Sequence, residues 1–226
     1  MSEMTANHTG TTNNVTSVDD GWYRDVTGFA QHTHWLVGTM DLLTVALIVL
    51  LAGLVVGSGL LAWRRNERVR LAAALWTLIG GGISIACGLA LKQVFQETRP
   101  CLALPHVATV QACPGPADYS FPSDHTIVAA AFAAGLWLID RRLGAIGTAL
   151  ALLEGFSRVY LGQHYPHDVV AALLLSSLIV LGGWRPARTP LLWLELKLLG
   201  STGAPEAERH APGLVSHGTD DQTGSA

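Results

Sequence analysis

From Leu42 to Trp63 the chain runs without a charged residue, and at about 1.5 Å per residue such a stretch crosses the roughly 30 Å hydrocarbon layer of a bilayer. Leu71 to Leu91 is a second run of that kind. Three shorter apolar runs follow, Thr126 to Ile139, Leu143 to Leu153 and Val169 to Trp184, and each reaches spanning length only by continuing into polar residues at one end. The pattern predicts an all-α fold, a polytopic transmembrane helix bundle of about five spans. Ahead of it, Trp22 to Met40 mixes aromatic, His and apolar residues and predicts a helix lying on the membrane surface. Residues 1–20 are rich in Thr, Asn and Ser and lack the positive start and apolar core of a signal peptide. They are expected to be a disordered tail, as are residues 200–226, which leaves 21–199 as the membrane-embedded domain.

Composition agrees with a lipid solvent. Half of the 226 residues are hydrophobic and 14% are charged, too few ions to cover a soluble surface of this size. Net charge is −3 and the cations sit in small groups at hydrophobic boundaries, which argues against a nucleic-acid partner. Those groups orient the bundle. Arg64, Arg65, Arg68 and Arg70 join spans one and two, Arg141 and Arg142 join three and four, and Arg185, Arg188 and Lys197 follow span five. By the positive-inside rule these segments face the cytoplasm. The stretch from Lys92 to His125 and the turn from Arg158 to Asp168 then face outward. Cys101 and Cys113 bracket the first of these, where a disulfide and two free thiols are equally expected.

The outer helix ends collect Lys92, Arg99, Ser123, His125, Arg158, His164 and Asp168. Three cations at one mouth call for an anion. Arg presents forked donors that fit phosphate oxygens, with each charge-assisted bond contributing roughly 1.5–3 kcal/mol; sulfate or carboxylate satisfies the same geometry. Ser123 precedes an apolar helix, so its free backbone N–H groups and dipole add to such a site. Asp168 lies four residues after His164, within reach of one imidazole nitrogen, which leaves the other free to attack phosphorus. His125 is then available to protonate the departing oxygen.

Lys92 with Arg99-Pro100, Pro122-Ser123-Asp124-His125, and Ser157-Arg158 with His164 and Asp168 stand in the order and spacing of three motifs. Together they resemble the phosphatidic acid phosphatase type 2 superfamily, in its membrane branch. The resemblance covers Lys92 to Asp168. It implies hydrolysis without a metal or other cofactor, His164 as nucleophile, Asp168 as its partner and His125 as general acid. Lys92, Arg99, Ser123 and Arg158 would hold the phosphoryl group, with Asp124 beside them. Asp124 replaces a commoner Gly, and the Pro-Ser-Asp-His form is similar to the bacitracin-resistance type of undecaprenyl diphosphate phosphatase. That similarity implies a polyprenyl diphosphate substrate, hydrolysed to the monophosphate at the extracytoplasmic face of a bacterial cell membrane in the recycling of a cell-wall lipid carrier. Phosphatidic acid, phosphatidylglycerol phosphate or another isoprenoid phosphate is the alternative substrate. A lipid-phosphate carrier without chemistry is the non-enzyme alternative, and it would have no need of the His164 and Asp168 pair.

Other polar residues have plainer expected roles. His32, His34 and His106 are expected to be structural. Glu154 is expected to form an ion pair with Arg158 one helical turn on. Asp41 is expected to cap the first span at its outer end, with a part in shaping the pocket as the alternative. Gly80-Gly81-Gly82 is expected to let helices approach closely. His167 carries two readings, structural or functional.

Overall fold

The computed structural model describes residues 6–104, 107 and 109–199, with side chains from residue 19 to residue 197 apart from 105, 106 and 108. His106 and the expected C-terminal tail lie outside the described residues. The described chain is helical: α1 (Ala6–His32), α2 (His34–Arg64), α3 (Arg68–Phe95), a single turn α4 (Pro100–Ala103), α5 (Asp124–Ile139), α6 (Arg141–Tyr160) and α7 (Pro166–Leu199).

Three stretches are long and apolar enough to cross a membrane: His34–Arg64, Arg68–Ala103 and Pro166–Lys197. The 16 residues of α5 and 20 of α6 are about 24 and 30 Å long, and α5 is a shorter apolar helix surrounded by α2, α3, α6 and α7. Helix α5 buries Ala129, Ala130, Ala131, Ala133, Ala134, Gly135 and Leu136. Its small side chains let four neighbours approach one central rod.

The polarity of the packing is inverted relative to a water-soluble protein. Helix α3 buries Ala72, Ala73, Ala74, Thr77, Gly80, Gly81, Ser84 and Gly88, while Leu75, Leu78, Ile79, Ile83 and Leu89 face outward. Large aliphatic side chains gain nothing from burial when the surroundings are as apolar as the core, so close contact of small residues organises the bundle. Buried hydroxyls are satisfied internally, Thr77 donating to Ala73 O and Ser84 to Gly80 O. Between helices, Ser176 donates to Ile127 O at 2.9 Å, and Trp76 Nε1 to Val180 O at 2.8 Å. Of the glycine triplet, Gly80 packs against Val180 and Gly81 against Ala131, whereas Gly82 faces open space.

Several element boundaries differ from the sequence expectation. Residues 6–20 belong to a helix rather than a disordered tail. The helix is fixed downstream, where Asp19 contacts His167 and the fully buried Tyr23 donates to Gly162 O at 3.0 Å. The expected surface helix Trp22–Met40 is divided at Thr33, and α2 starts two turns earlier than the first charge-free run. Leu36, Val37 and Met40 pack against Ala30, Tyr160 and Leu161, which favours helix over that stretch. Asp41 therefore lies inside α2 and caps nothing. Helix α7 continues past Trp184 through Pro186 and Pro190, which remove internal donors without ending it.

Short connections join α2 to α3, α5 to α6 and α6 to α7, and the longer segment from Gln96 to Ser123, which contains α4, joins α3 to α5, so that these five helices run up and down. The Arg64–Arg70 and Asp140–Arg142 turns share one end, and Lys92, Ser123, Arg158 and His164 share the other. Asp140 accepts from Arg142 N and Leu143 N and so caps α6 at the first end.

Close packing on α5 has a measurable consequence. A Cβ added at Gly135 would fall 2.6 Å from Thr77 Cβ, a branched side chain without room to move, whereas one at Gly82 meets nothing. Gly135→Val is expected to destabilise the protein by about 1–3 kcal/mol, seen as a lower melting temperature in detergent, with Gly82→Ala close to neutral in the same assay.

Candidate active site

At the end of the bundle opposite the arginine turns, a cavity of about 480 Å³ is lined by Arg99, Asp118, Asp124, His125, Arg158 and His164, with Asp41, Thr44 and Gln111 on its far side. The Cys101–Cys113 disulfide closes the segment that carries Gln111 to this wall. Gln111 Nε2 donates to Asp41 Oδ1 at 2.9 Å, so Asp41 serves the pocket, the alternative the sequence had left for it.

His164 occupies the turn between α6 and α7, set up by Gly162 in the left-handed region at φ 80°, where any side chain would be strained. The ring is 1% exposed. Its Nδ1 lies 3.3 Å from Asp168 Oδ2 and its Nε2 lies 3.2 Å from Arg99 Nη1. Arg99 has no lone pair to offer, so Nε2 must be the acceptor and Nδ1 carries the hydrogen donated to Asp168. Burial pushes the His164 pKa down to about 4; Asp168 opposes that shift, and the Arg99 and Arg158 charges reinforce it. The imidazole is therefore neutral at physiological pH, with the tautomer whose lone pair is on Nε2.

Asp168 is fully buried in the first turn of α7. Its Oδ2 accepts from the hydroxyl of Ser120 in a very short bond, from Tyr165 N at 2.9 Å and from His164. Ser120 and Tyr165 hold the carboxylate that holds His164, a role the sequence gave no sign of, because Ser120 lies 48 positions from Asp168 in the chain.

The cations are arranged in two ways. Lys92 and Arg99, both almost fully buried, are engaged by acceptors already present. Lys92 Nζ donates to Asp124 Oδ2 at 2.6 Å and Tyr119 O at 2.9 Å. Arg99 donates to Asp118 O and Gln163 O, and its Nη2 lies 3.0 Å from Asp118 Oδ1. Asp124, which would repel an anion if unpaired, is thus neutralised by Lys92. Partial burial works to raise the Asp118 pKa, but the Arg99 bond and charge, followed by Lys92, hold it below the usual carboxylate range. Asp118 stands outside the three motifs, and its one signal in the sequence is that it is the lone acid between Arg99-Pro100 and Pro122.

Arg158 is different, being buried with an Nε that has no partner among the described residues. The expected ion pair with Glu154 does not form. Neither Glu154 oxygen makes a hydrogen bond to Arg158, and that side chain lies one turn deeper in the bundle while Arg158 lines the cavity. Ser123 is the N-cap residue of α5 without a capping side-chain bond; its Oγ accepts from Thr126 Oγ1 at 3.1 Å. His125 is half-buried on the cavity wall, and its ring makes no hydrogen bond to the described residues. Every residue singled out from the motifs thus meets at this end of the bundle.

Among the described residues one trio, Glu97, His167 and Asp168, brings three ligand-type atoms within 4.8 Å of one another. The trio lies behind Asp168, on the side away from His164.

The sequence pattern of the PAP2 superfamily matches residues 70–189. The chain is 30% identical over 158 residues to undecaprenyl-diphosphatase BcrC of Bacillus subtilis, covering 70% of this chain and 78% of that one. It is 32% identical over 121 residues to an undecaprenyl-diphosphatase of Sulfolobus acidocaldarius, covering 53% and 56%. The crystal structure of a transmembrane PAP2 type phosphatidylglycerolphosphate phosphatase from Bacillus subtilis superposes with a TM-score of 0.60 at 23% identity, covering 77% of this chain and 88% of that one.

The neutral, buried His164 sets an expectation for pH dependence. With its pKa held down to about 4 the ring stays neutral above that pH, so any acid limb of kcat/KM attributable to His164 is expected well below the ordinary imidazole value of about 6.5. A pH profile of the wild type whose His164-dependent limb falls between 6 and 7 would contradict the site electrostatics described here.

Proposed function

Because the chain belongs to the PAP2 superfamily, and so to a family of membrane lipid phosphatases, we propose that it hydrolyses undecaprenyl diphosphate to undecaprenyl phosphate and phosphate through a phosphohistidine. The observation that carries the mechanism is the orientation of His164, Nδ1 on Asp168 and Nε2 toward Arg99 at a cavity that also holds His125 and Arg158.

In the first step His164 Nε2 attacks the terminal phosphorus, forming a P–N bond as the P–O bond to the lipid monophosphate breaks. His125 gives its proton to the departing oxygen, and Asp168 stabilises the positive charge that develops on His164. In the second step His125 takes a proton from water, the water oxygen attacks phosphorus, and the P–N bond breaks to release phosphate and restore His164. Arg99 leaves Nε2 for a phosphoryl oxygen when substrate enters. Arg158 arrives uncommitted, Lys92 adds charge from behind Asp124, and Ser123 with the first N–H groups of α5 completes the cradle. Asp124 thereby acts on phosphate through Lys92 instead of touching it.

Substrate identity rests on the named activity of the two relatives, and a diphosphate suits a cavity lined by Arg99 and Arg158 with Lys92 behind Asp124. The extracytoplasmic placement is supported by two features: the arginine-rich turns lie at the opposite end, and the Cys101–Cys113 disulfide lies at the site's end, as an oxidising compartment favours.

Detergent-purified protein is expected to release phosphate from undecaprenyl diphosphate in the presence of a chelator, while folded His164→Ala loses at least about a thousandfold in kcat. Cleavage of phosphatidic acid or phosphatidylglycerol phosphate in place of the diphosphate would reassign the substrate and leave the mechanism. Loss of activity in chelator with recovery on one added metal would overturn the metal-free chemistry. Lipid binding without phosphate release would favour a carrier.

A further inference from the structure

His167 sits one residue before Asp168 and takes no part in the reaction above. Its surroundings are unusual for a bystander. The ring is stacked on Tyr165 at 5.4 Å between centroids, with Phe121 also stacked on it at 5.7 Å. Nδ1 lies 2.7 Å from Asp19 Oδ2 of α1, and the backbone N–H of His167 donates to Asp19 Oδ1 at 3.1 Å. Nε2 lies 3.1 Å from Glu97 Oε2 in the segment joining α3 to α4, and 3.3 Å from Asp168 Oδ1.

Each ring nitrogen therefore faces carboxylate oxygens, which accept, and a neutral imidazole has a single N–H to give. Only the doubly protonated ring satisfies both sides. Asp168 Oδ1 has no hydrogen bond among the described residues, and the Nε2 edge of His167 lies beside it at 3.3 Å. Uncompensated, a fully buried carboxylate favours the protonated form, and a protonated Asp168 would no longer fix the His164 tautomer or stabilise charge on it.

We propose that His167 is a positioning residue for the hydrolysis: an imidazolium clamped by Asp19 and Glu97 that keeps Asp168 ionised and aimed at His164. The N-terminal helix α1 thereby becomes part of the site, since Asp19 supplies both the ring contact and the cap on the first turn of α7. His167 touches no reacting atom. The inference rests on the phosphohistidine reading given above.

The test is a comparison of kcat, KM and pH profile for full-length wild type, His167→Gln, His167→Lys, Asp19→Asn and His164→Ala, each shown to be folded by its melting curve. His167→Gln is expected to lose about tenfold to a hundredfold in kcat, as outer-shell partners of reactive groups commonly do, with little change in KM. Its acid limb moves to higher pH, because the cation facing Asp168 is gone while Asp19 and Glu97 remain. His167→Lys, which keeps a cation, retains several times the kcat of His167→Gln, and Asp19→Asn shifts in the same direction as His167→Gln. A folded His167→Gln with wild-type kcat and pH profile overturns the proposal, because a ring needed only for packing would leave both unmoved. Activity surviving in His164→Ala defeats the phosphohistidine reading itself and removes the role assigned to His167, a result separable from the first by the variant that shows it.

Discussion

The Asp168 carboxylate is the point on which the site depends. It is fully buried at the start of α7, and one of its oxygens gathers Ser120, the Tyr165 amide and His164. A buried charge is tolerated only when hydrogen bonds replace the water it has lost. That requirement draws the segment before α5, the α6–α7 turn and the first turn of α7 into one place. His164 follows from it, since its tautomer is fixed by the carboxylate, and Arg99 follows from His164, since one of its nitrogens lies on Nε2. Three sequence motifs separated by more than twenty residues each become one site because one carboxylate must be satisfied.

The bundle beneath supplies rigidity of a kind suited to lipid. Small residues on α3 and α5 bring the helices into close contact, and the larger aliphatic side chains are left for the bilayer. An active site at the end of such a bundle is held by the helix termini themselves. Ser123 begins α5, Arg158 ends α6, and Lys92 lies in the last turn of α3. Helix α1 closes the same end, with Tyr23 on Gly162 and Asp19 on His167.

Electrostatically the site is poised before substrate arrives. Lys92 and Arg99 are paired with Asp124 and Asp118, which holds two long side chains in place without ordering them at the moment of binding. The Asp118 side chain is half exposed, so its pairing with Arg99 is partly screened by solvent. Arg158 has no carboxylate paired with it among the described residues, and its Nε is without a hydrogen-bond partner there.

How much of this was legible in the sequence depends on the range over which each feature is decided. The apolar runs located α2, α3, α5, α6 and α7, because hydrophobicity is a property of contiguous residues and needs no tertiary information, although among the described residues three stretches, not five, are long and apolar enough to cross a membrane. The spacing of Lys92, Arg99, Ser123, His125, Arg158, His164 and Asp168 singled out residues that the fold brings to one end of the bundle, because helix geometry places residues four apart on one face and motif order survives folding. Helix ends were misjudged where packing decides them: α2 begins at His34 because its first turns cover Tyr160 and Leu161, and α1 is anchored by contacts with α6 and α7. The partners of the charged groups were beyond reach as well. Glu154 is four residues from Arg158 and makes no bond to it, while Ser120 and Asp19 reach Asp168 and His167 across 48 and 148 positions. Local hydrophobicity and periodicity are properties of a segment and can be read along the chain, but the satisfaction of a buried charge depends on which distant segment the fold brings beside it, and that only the tertiary structure decides.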